Sequence, residues 1–261
     1  MPAIDRISYT PVEGTEELFT PEFLEYIVEA CDRFSPVVQE IRAKREAMLR
    51  RALDDRELPA FPTKSDVNSG EWRVPPLPED LLRPGIEISG PVSITNMAIN
   101  ALNPGAEGER AEGYLDDDED SGGHSLGDTV RAAINRRDAT LGTLRFHNPD
   151  RNRTYELAAG TLPFFMHRER GFHLDEQDFR VDAEPIPATI LGAALTLAYV
   201  GKEQVKRGQG LYFYLPKIEV VEEARLFRDL FDFSKDRLGY PDDAVIKAVV
   251  LVESLPIVYI M

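Results

Sequence analysis

The stretch FFMHRERGFHLDE (164–176) joins a short apolar run directly to a cluster of charges. Residues 164–166 have the composition of a buried strand. Residues 167–170 follow at once with a histidine, two arginines and a glutamate. A strand can end in charges because the chain returns to solvent, or because the charges line the catalytic mouth of an α/β barrel. The rest of the sequence favours the second interpretation.

The bulk composition excludes several classes of protein. The chain has 261 residues, 43% of them hydrophobic, which is enough for one large domain or two small ones. Its net charge of −16 would repel a phosphate backbone, so no nucleic-acid partner is expected. No apolar run approaches the roughly 20 residues that span a membrane. The single cysteine, Cys31, excludes an intrachain disulfide and fits a cytoplasmic location.

Apolar runs with the character of strands alternate with helical stretches after residue 85. The strand-like runs are IEISG (86–90), GYLDD (113–117), LPFFMHR (162–168), LYFYLPKI (211–218) and VIKAVVLVE (245–253). Helical patterns lie between some of them, at 125–137, 188–206 and 219–238. This alternation predicts an α/β fold in which a parallel sheet is covered by helices. The segment TLRFHNPDRNRTYEL (142–156) instead predicts a β-hairpin inserted before the third strand, at about 141–158.

The first 84 residues have a different pattern. Thr20 followed by Pro21 is typical of a helix start, and a second helix is expected from Pro36 to about residue 53. Residues 54–85 are rich in proline and charge, which predicts an extended connector that Trp72 and Val74 attach to the body. We therefore expect two regions: 1–84, helical with a connector, and 85–261, the sheet with its helices.

Polar side chains follow the ends of the predicted strands. They are Gly90 with Pro91, the acidic run 116–120, Arg168, Lys217 and Glu253. Because a parallel barrel gathers the carboxyl ends of its strands at one face, and because the opposite ends carry no comparable set, these residues predict a functional mouth.

The acidic run needs positive charge close by. If it continues a strand, Asp117 and Glu119 point to one face and the other three acids to the opposite face. Packed carboxylates repel one another unless a cation joins them, and Mg²⁺ or Arg168 could supply it. A solvated acidic loop is the alternative.

Three further strand-end residues have two interpretations each. Arg168 can stabilise a developing oxyanion or form an ion pair with the acidic run. Glu253 can bind a metal or be a hydrogen-bonded buried acid. Lys217 can contact a phosphate or carboxylate, or pair with Glu219. The four histidines lack the spacing of a zinc site.

Several blocks together resemble the malate synthases of the A type. They occur in the family's order across nearly the whole chain and are GEWRVPPLPEDL (70–81), IEISGPV (86–92), NALNPGA (100–106), DEDS (118–121), INRRDATLGTLRF (134–146), RERGFHLDE (168–176), VDAEPIPATI (181–190), GQGLYFYLPKIEVVEEARLFRDLF (208–231) and AVVLVES (248–254). RERGFHLDE with YFYLPKIE is the most specific pair. The resemblance implies the first five strands of a TIM (β/α)8-type barrel, preceded by a helical segment.

The resemblance also implies an enzyme, a transferase of the glyoxylate bypass. It would condense acetyl-CoA with glyoxylate, with Mg²⁺ as cofactor, to give malate and CoA. By position, Arg168 corresponds to the arginine that stabilises the enolate, and Glu253 to a Mg²⁺ ligand. Asp117 and Glu119 correspond to acids near the metal and its waters, and Lys217 is a weaker candidate for contact with substrate or CoA.

The match departs from the family in several places. Glu169 stands where the family has proline, and Asp118 where it has phenylalanine between two acids. The chain ends at VESLPIVYIM (252–261), before the family's later strands, and no general base is identified in it. We therefore expect an incomplete enzyme that is inactive alone, or an enzyme in which a second chain supplies the missing half. Two alternatives are a non-catalytic interaction or regulatory subunit and a citrate-lyase-like acyl-CoA enzyme.

Overall fold

A computed structural model describes residues 3–64, 66–83 and 85–261. Residues 1 and 2 of the predicted N-terminal segment, and Ser65 and Pro84 of the predicted connector, lie outside the described residues. The division of the chain into the regions 1–84 and 85–261 stays a prediction.

The strands form one parallel sheet and two small antiparallel ones. In chain order they are β1 (Ile7–Tyr9), β2 (Glu87–Gly90), β3 (Gly113–Asp117), β4 (Arg145–Asn148), β5 (Arg153–Glu156), β6 (Phe164–Arg168), β7 (Asp175–Val181), β8 (Glu184–Pro187), β9 (Leu211–Leu215) and β10 (Ile246–Val250). The parallel sheet has the order β10-β9-β6-β3-β2, and the antiparallel sheets are β1-β7-β8 and β4-β5.

The helices of the described residues mostly cover one side of the parallel sheet. In chain order they are α1 (Thr15–Leu18), α2 (Pro21–Asp54), α3 (Asp66–Ser69), α4 (Thr95–Leu102), α5 (Leu126–Leu141), α6 (Ala188–Thr196), α7 (Lys202–Lys206), α8 (Val221–Leu238) and α9 (Leu255–Ile260). One π-helical segment, Leu197–Gly201, joins α6 to α7.

The five predicted sheet strands are confirmed in their positions and in their parallel pairing. Each strand lies beside the one that precedes it in the sheet along the chain, as in the first part of a TIM barrel. Within the described residues the sheet does not close, because the outer strands β2 and β10 are not paired with each other. The predicted hairpin is confirmed as β4 and β5, in register from Arg145 with Glu156 to Asn148 with Arg153.

Strand alternation divides the sheet into two faces. Leu115 of β3 lies opposite Met166 of β6, and Met166 lies opposite Tyr212 of β9, so these three side chains share one face. We call it the inner face, since it is the side away from the helix-packed core. Asp117 and Arg168, two residues further on, are also paired and share this face.

The opposite, outer face packs against the helices. Phe213 of β9 is completely buried there, with its ring 4.6 Å from that of Phe231 on α8 and 5.8 Å from that of His167 on β6. The same core includes buried residues of α2, α6 and α8. The outer face therefore supplies most of the apolar burial that holds the sheet in place.

One helix replaces the two that the sequence predicts before residue 54. Helix α2 runs unbroken for 34 residues and contains Pro36 in its interior. A proline there lacks the N–H that would bond to the carbonyl of Asp32, at a cost of about 3 kcal/mol or more in a helix interior. Phe34 and Val38, on either side of Pro36, are both buried in the main core. Their tertiary burial offsets the local cost, so the prediction of a break was wrong.

The antiparallel sheet β1-β7-β8 was not predicted. Its hairpin turns through Asp182 and Ala183, which have positive φ angles of 52° and 69°, and Val181 pairs directly with Glu184. Such a two-residue turn usually contains glycine or asparagine, and Ala183 gave no turn signal. Arg6 forms an ion pair with Asp182, which ties the first strand to this turn.

The expected role of Trp72 and Val74 was also wrong. Their side chains are 64% and 74% exposed, and the Trp72 Nε1–H donates locally to the Val67 carbonyl at 2.6 Å. The connector contacts the sheet elsewhere, where Tyr212 Oη donates to Asp80 Oδ1 at 2.6 Å.

We predict that Phe213→Ala lowers the free energy of unfolding by about 3–5 kcal/mol, because the change opens a cavity between the sheet and α8. Urea denaturation measures the difference. Leu58→Ala, at a position that is 74% exposed, is the control and should change stability by less than about 0.5 kcal/mol. Equal effects at the two positions would contradict the packing described here.

Candidate functional site

The predicted strand-end residues meet at one edge of the parallel sheet. Asp117 is the last residue of β3 and Arg168 the last of β6, and the two are register partners. Lys217 follows β9 by two residues, and Glu253 follows β10 by three. We call these residues together with Asp120 the inner cluster.

Ion pairs run continuously through the inner cluster. One guanidinium nitrogen of Arg168 lies 3.4 Å from Asp117 Oδ2, and another donates to Asp120 Oδ2. The Lys217 ammonium lies 3.5 Å from Asp120 Oδ1 and 3.1 Å from Glu253 Oε2. The structure thus brings together four of the five predicted site residues. Glu119 is the exception.

The acidic run leaves the strand after Asp117. Asp117 Oδ1 accepts hydrogen bonds from the backbone N–H groups of Glu119 and Asp120, both at 3.1 Å. Ser121 Oγ donates to Asp117 Oδ2 at 2.9 Å. These bonds turn the chain, so Asp120 returns to the side of Asp117. The expectation that Asp120 would point to the opposite face is wrong for this reason.

Glu119 shapes the loop after β6 and does not join the ion pairs of the inner cluster. Its Oε2 accepts the backbone N–H of Gly171 at 2.6 Å, and its Oε1 lies 3.6 Å from His173 Nε2. The side chain is almost completely buried. Glu119 therefore holds the loop that follows Arg168.

Lys217 is held by Glu253 at two atoms. Glu253 Oε1 accepts a hydrogen bond from the Lys217 backbone N–H at 2.7 Å, and Glu253 Oε2 accepts one from the Lys217 ammonium. Lys217 has a positive φ of 57°, an uncommon conformation for a residue with a Cβ. Partial burial acts to lower the pKa of Lys217, but Glu253 and Asp120 outweigh it and raise that pKa. The alternative pair with Glu219 does not form, because Glu219 binds Arg45 at 2.6 Å.

Arg168 carries a hydrogen-bond donor that no described residue uses. Its side chain is only 9% exposed, and its buried Nε–H has no partner among the described residues. Its guanidinium carbon lies 5.8 Å from the centre of the Tyr214 ring. A buried charged donor without an acceptor is costly unless it serves a ligand. This Nε–H is therefore the clearest candidate contact for an anionic oxygen.

The described residues do not by themselves fit a metal ion. No group of three or more His, Cys, Asp or Glu among them is arranged to hold one. Both oxygens of Glu253, the predicted Mg²⁺ ligand, face Lys217. The cations within the inner cluster are Arg168 and Lys217.

A second charged cluster lies behind the first and was not predicted. It is centred on Arg136 of α5, which is 1% exposed and contacts Asp116, Asp118 and Glu169. We call these four residues the outer cluster. The sequence carried one signal: Arg136 follows Ala132 and Ala133 and precedes Ala139 at helical spacing, and all three alanines are buried.

A cavity of about 1150 Å³ lies at the other end of the sheet. It is lined at the amino ends of the strands by Phe164, Gly210 and Lys247 and by connector residues around Asp80. Tyr212 also borders it, and burial raises the pKa of that hydroxyl, to which the bonded Asp80 adds. The cavity does not include the inner cluster, so the predicted mouth is defined by its side chains and not by this volume.

The second part of the chain matches the model of the malate synthase TIM barrel domain, over residues 164–261. The match covers β6, β9 and β10 and includes Arg168, Lys217 and Glu253.

Relatives of known name match almost the whole chain. Malate synthase of Myxococcus xanthus is 37% identical over 246 residues, which is 94% of this chain and 44% of that protein. Malate synthase A of Escherichia coli is 30% identical over 260 residues, 98% of this chain and 47% of that protein. Malate synthase of Arabidopsis thaliana is 32% identical and matches 94% of this chain and 43% of that protein. The predicted resemblance to the malate synthases is confirmed, and the chain spans less than half the length of each of these relatives.

None of the described helices is both long enough and apolar enough to cross a membrane.

We predict that Asp118 makes stability depend on pH. Burial in the outer cluster raises the pKa of Asp118 from 3.8 to about 7, with Glu169 and Asp116 adding to the effect against the opposing Arg136. Between these two values the folded state keeps a proton that the unfolded state loses, so this group favours folding less as the pH rises. The free energy of unfolding of the native chain, minus that of Asp118→Asn, should fall from about pH 4 to about pH 7 and then level off. Urea denaturation across this range measures it, and a difference independent of pH would contradict the burial of this carboxyl group.

Proposed function

We propose that this chain carries part of the active site of a malate synthase, which condenses acetyl-CoA with glyoxylate to give malate and CoA. The observation that supports the proposal most is the unused, buried Nε–H of Arg168 at the carboxyl edge of the sheet. The names of the relatives supply the reaction. Each relative reported above is named for this activity, which favours it over a citrate-lyase-like enzyme.

Arg168 is the proposed stabiliser of the enolate. The methyl group of acetyl-CoA is a weak acid, so its deprotonation needs a group that stabilises the negative oxygen as it forms. The guanidinium of Arg168 supplies a permanent charge and a free Nε–H, while Asp117 and Asp120 occupy its other nitrogens. Holding the fork on two carboxylates fixes its direction before the substrate arrives, which is the condition for electrostatic catalysis.

Lys217 is the proposed second cationic contact. Its side chain is 30% exposed, and its ammonium lies between Asp120 and Glu253 at the same edge of the sheet. A carboxylate or phosphate of a substrate could replace one of these two acids as its partner. In the proposal Asp117 acts by orienting Arg168, and Glu119 by shaping the loop after it, so neither has to touch the substrate.

Glu253 is the proposed Mg²⁺ ligand in the assembled enzyme. Mg²⁺ prefers oxygen ligands in octahedral geometry, and one carboxylate bound to Lys217 does not meet that need. The proposal therefore requires Glu253 to release Lys217 and further oxygen ligands to come from outside the described residues. Bound Mg²⁺ would polarise the glyoxylate aldehyde. A general base also has to come from elsewhere, since none of the predicted site residues has that role.

The proposal includes a cytoplasmic location.

We predict malate formation only when the chain is combined with the part of Myxococcus xanthus malate synthase that it does not match. The assay contains acetyl-CoA, Mg²⁺ and ¹³C-labelled glyoxylate, and ¹³C NMR detects labelled malate. Arg168→Lys should lower the rate by about 10²–10³-fold, as loss of an oxyanion donor does, whereas Arg145→Lys on the exposed hairpin should not.

Two outcomes would contradict the proposal. Equal rates for Arg168→Lys and Arg145→Lys would remove Arg168 from the chemistry. Malate made by the chain alone would show that a general base lies within these 261 residues and that the assigned roles are incomplete.

A second candidate, a non-catalytic interaction protein, is favoured by the edge strand β10. Val245, Val250 and Val252, in and beside this strand, are 38–45% exposed, and its free side has no partner strand within the described residues. An exposed apolar edge is a template for pairing with another chain. A stable complex that forms no malate in the assay above would favour this candidate.

A further inference from the structure

The two charged clusters are interleaved along the same two segments. Asp116 and Asp118 flank Asp117, and Glu169 directly follows Arg168. Side chains alternate between the faces of a sheet, so the flanking residues point to the helices when Asp117 and Arg168 point to the inner face. The contacts agree with this, because all three flanking acids reach Arg136 on α5.

Arg136 contacts both segments at close range. Its Nε and one terminal nitrogen lie 3.0 and 2.9 Å from Asp116 Oδ1, and the same terminal nitrogen lies 2.6 Å from Asp118 Oδ2. Its other terminal nitrogen lies 3.4 Å from Glu169 Oε1 and 3.2 Å from Thr196 Oγ1. A lysine has one point of charge and cannot reach all of these acceptors at once.

The surrounding residues orient the same acids. Thr196 Oγ1 donates to Glu169 Oε1 at 2.6 Å, and His167 Nδ1 lies 2.7 Å from Asp116 Oδ2. Gly192 of α6 gives Glu169 its space, since a Cβ at that position would lie 2.2 Å from Glu169 Oε2. The outer cluster is thus a built arrangement in which each acid has a fixed partner.

Backbone pairing alone cannot fix the residues beyond the strand ends. The ladder between β3 and β6 ends at the pair Asp117 and Arg168, and one further bond joins the Asp118 N–H to the Arg168 carbonyl at 3.0 Å. Beyond that point, Asp118 and Glu169 are linked through Arg136. Arg136 is thus a side-chain link, beyond the backbone ladder, between the segment that carries Asp117 and the segment that carries Arg168.

We propose that Arg136 is a positioning residue for Arg168. It links the acids on both sides of Asp117 to the acid after Arg168, and so holds the segment that carries Arg168 and limits the movement of its guanidinium group. The catalytic meaning of this geometry rests on the proposed function, but the link between Arg136 and Arg168 does not.

The test is the ¹⁵N–¹H signal of the Arg168 Nε–H in the full chain, assigned by its loss in Arg168→Lys. In the native chain burial should protect this proton and give a resolved signal. In Arg136→Lys we expect the signal to broaden or disappear, because Arg168 becomes mobile and the proton exchanges faster. Arg137→Lys is the matched control, since the neighbouring Arg137 on the same helix binds Glu17 and Asp138 and neither strand end.

A second variant keeps the test decisive if Arg136→Lys does not fold. Glu169→Gln preserves the shape of the side chain but removes the charge that Arg136 contacts, and it should shift the same signal. If Arg136→Lys folds, an unchanged Arg168 signal in that variant would overturn the proposal. If it does not fold, an unchanged Arg168 signal in Glu169→Gln would overturn the proposal. The signal is read without substrate, so it does not depend on the proposed function. If the signal changes but Arg168→Lys and Arg145→Lys form malate at equal rates, the positioning role stands and only the proposed function is rejected.

Discussion

Two arginines on opposite sides of one sheet bind four of the five acids of a single run, and the geometry of the mouth depends on this division. Asp116 and Asp118 bind Arg136 on the helix side, while Asp117 and Asp120 bind Arg168 on the inner side. Five consecutive carboxylates would otherwise repel one another. Because the two sets point in opposite directions, the run can pack tightly at the end of β3 and still leave one donor of Arg168 free for a ligand.

This arrangement places different physical demands on the two clusters. Arg136 is removed from water, and a buried charge of this kind is tolerated only when good hydrogen bonds surround it. Its three acids and Thr196 supply them. The inner cluster is more open, with Asp120 52% exposed, so its ion pairs can be exchanged for a substrate at a smaller cost. A rigid, buried support behind a more accessible layer is suited to orienting a catalytic group.

The sequence alone was enough to predict the parallel sheet, its five strands and the edge where polar residues gather, since hydrophobic runs and strand ends are local signals. It failed where a distant contact overrides the local preference. Core packing of Phe34 and Val38 carries α2 through Pro36, and Ala183 adopts a turn conformation usually given to glycine. The sequence INRRD (134–138) also does not say which arginine is buried, because that depends on the side of α5 that faces β3. Glu169 and Asp118, noted as departures from the family pattern, turn out to meet at the same buried arginine.

The most direct measurement of this division is a pair of double-mutant cycles on the free energy of unfolding. One cycle combines Arg136→Lys with Asp118→Asn, and the other combines Arg136→Lys with Asp117→Asn. Residues in one ion-pair network show coupling of about 0.5–3 kcal/mol, and independent residues add within about 0.5 kcal/mol. We predict coupling in that higher range for Asp118, which Arg136 contacts directly, and a smaller coupling for the adjacent Asp117, which is linked to Arg136 only indirectly through Arg168. Equal coupling in the two cycles would contradict the separation of the acidic run between two faces of the sheet.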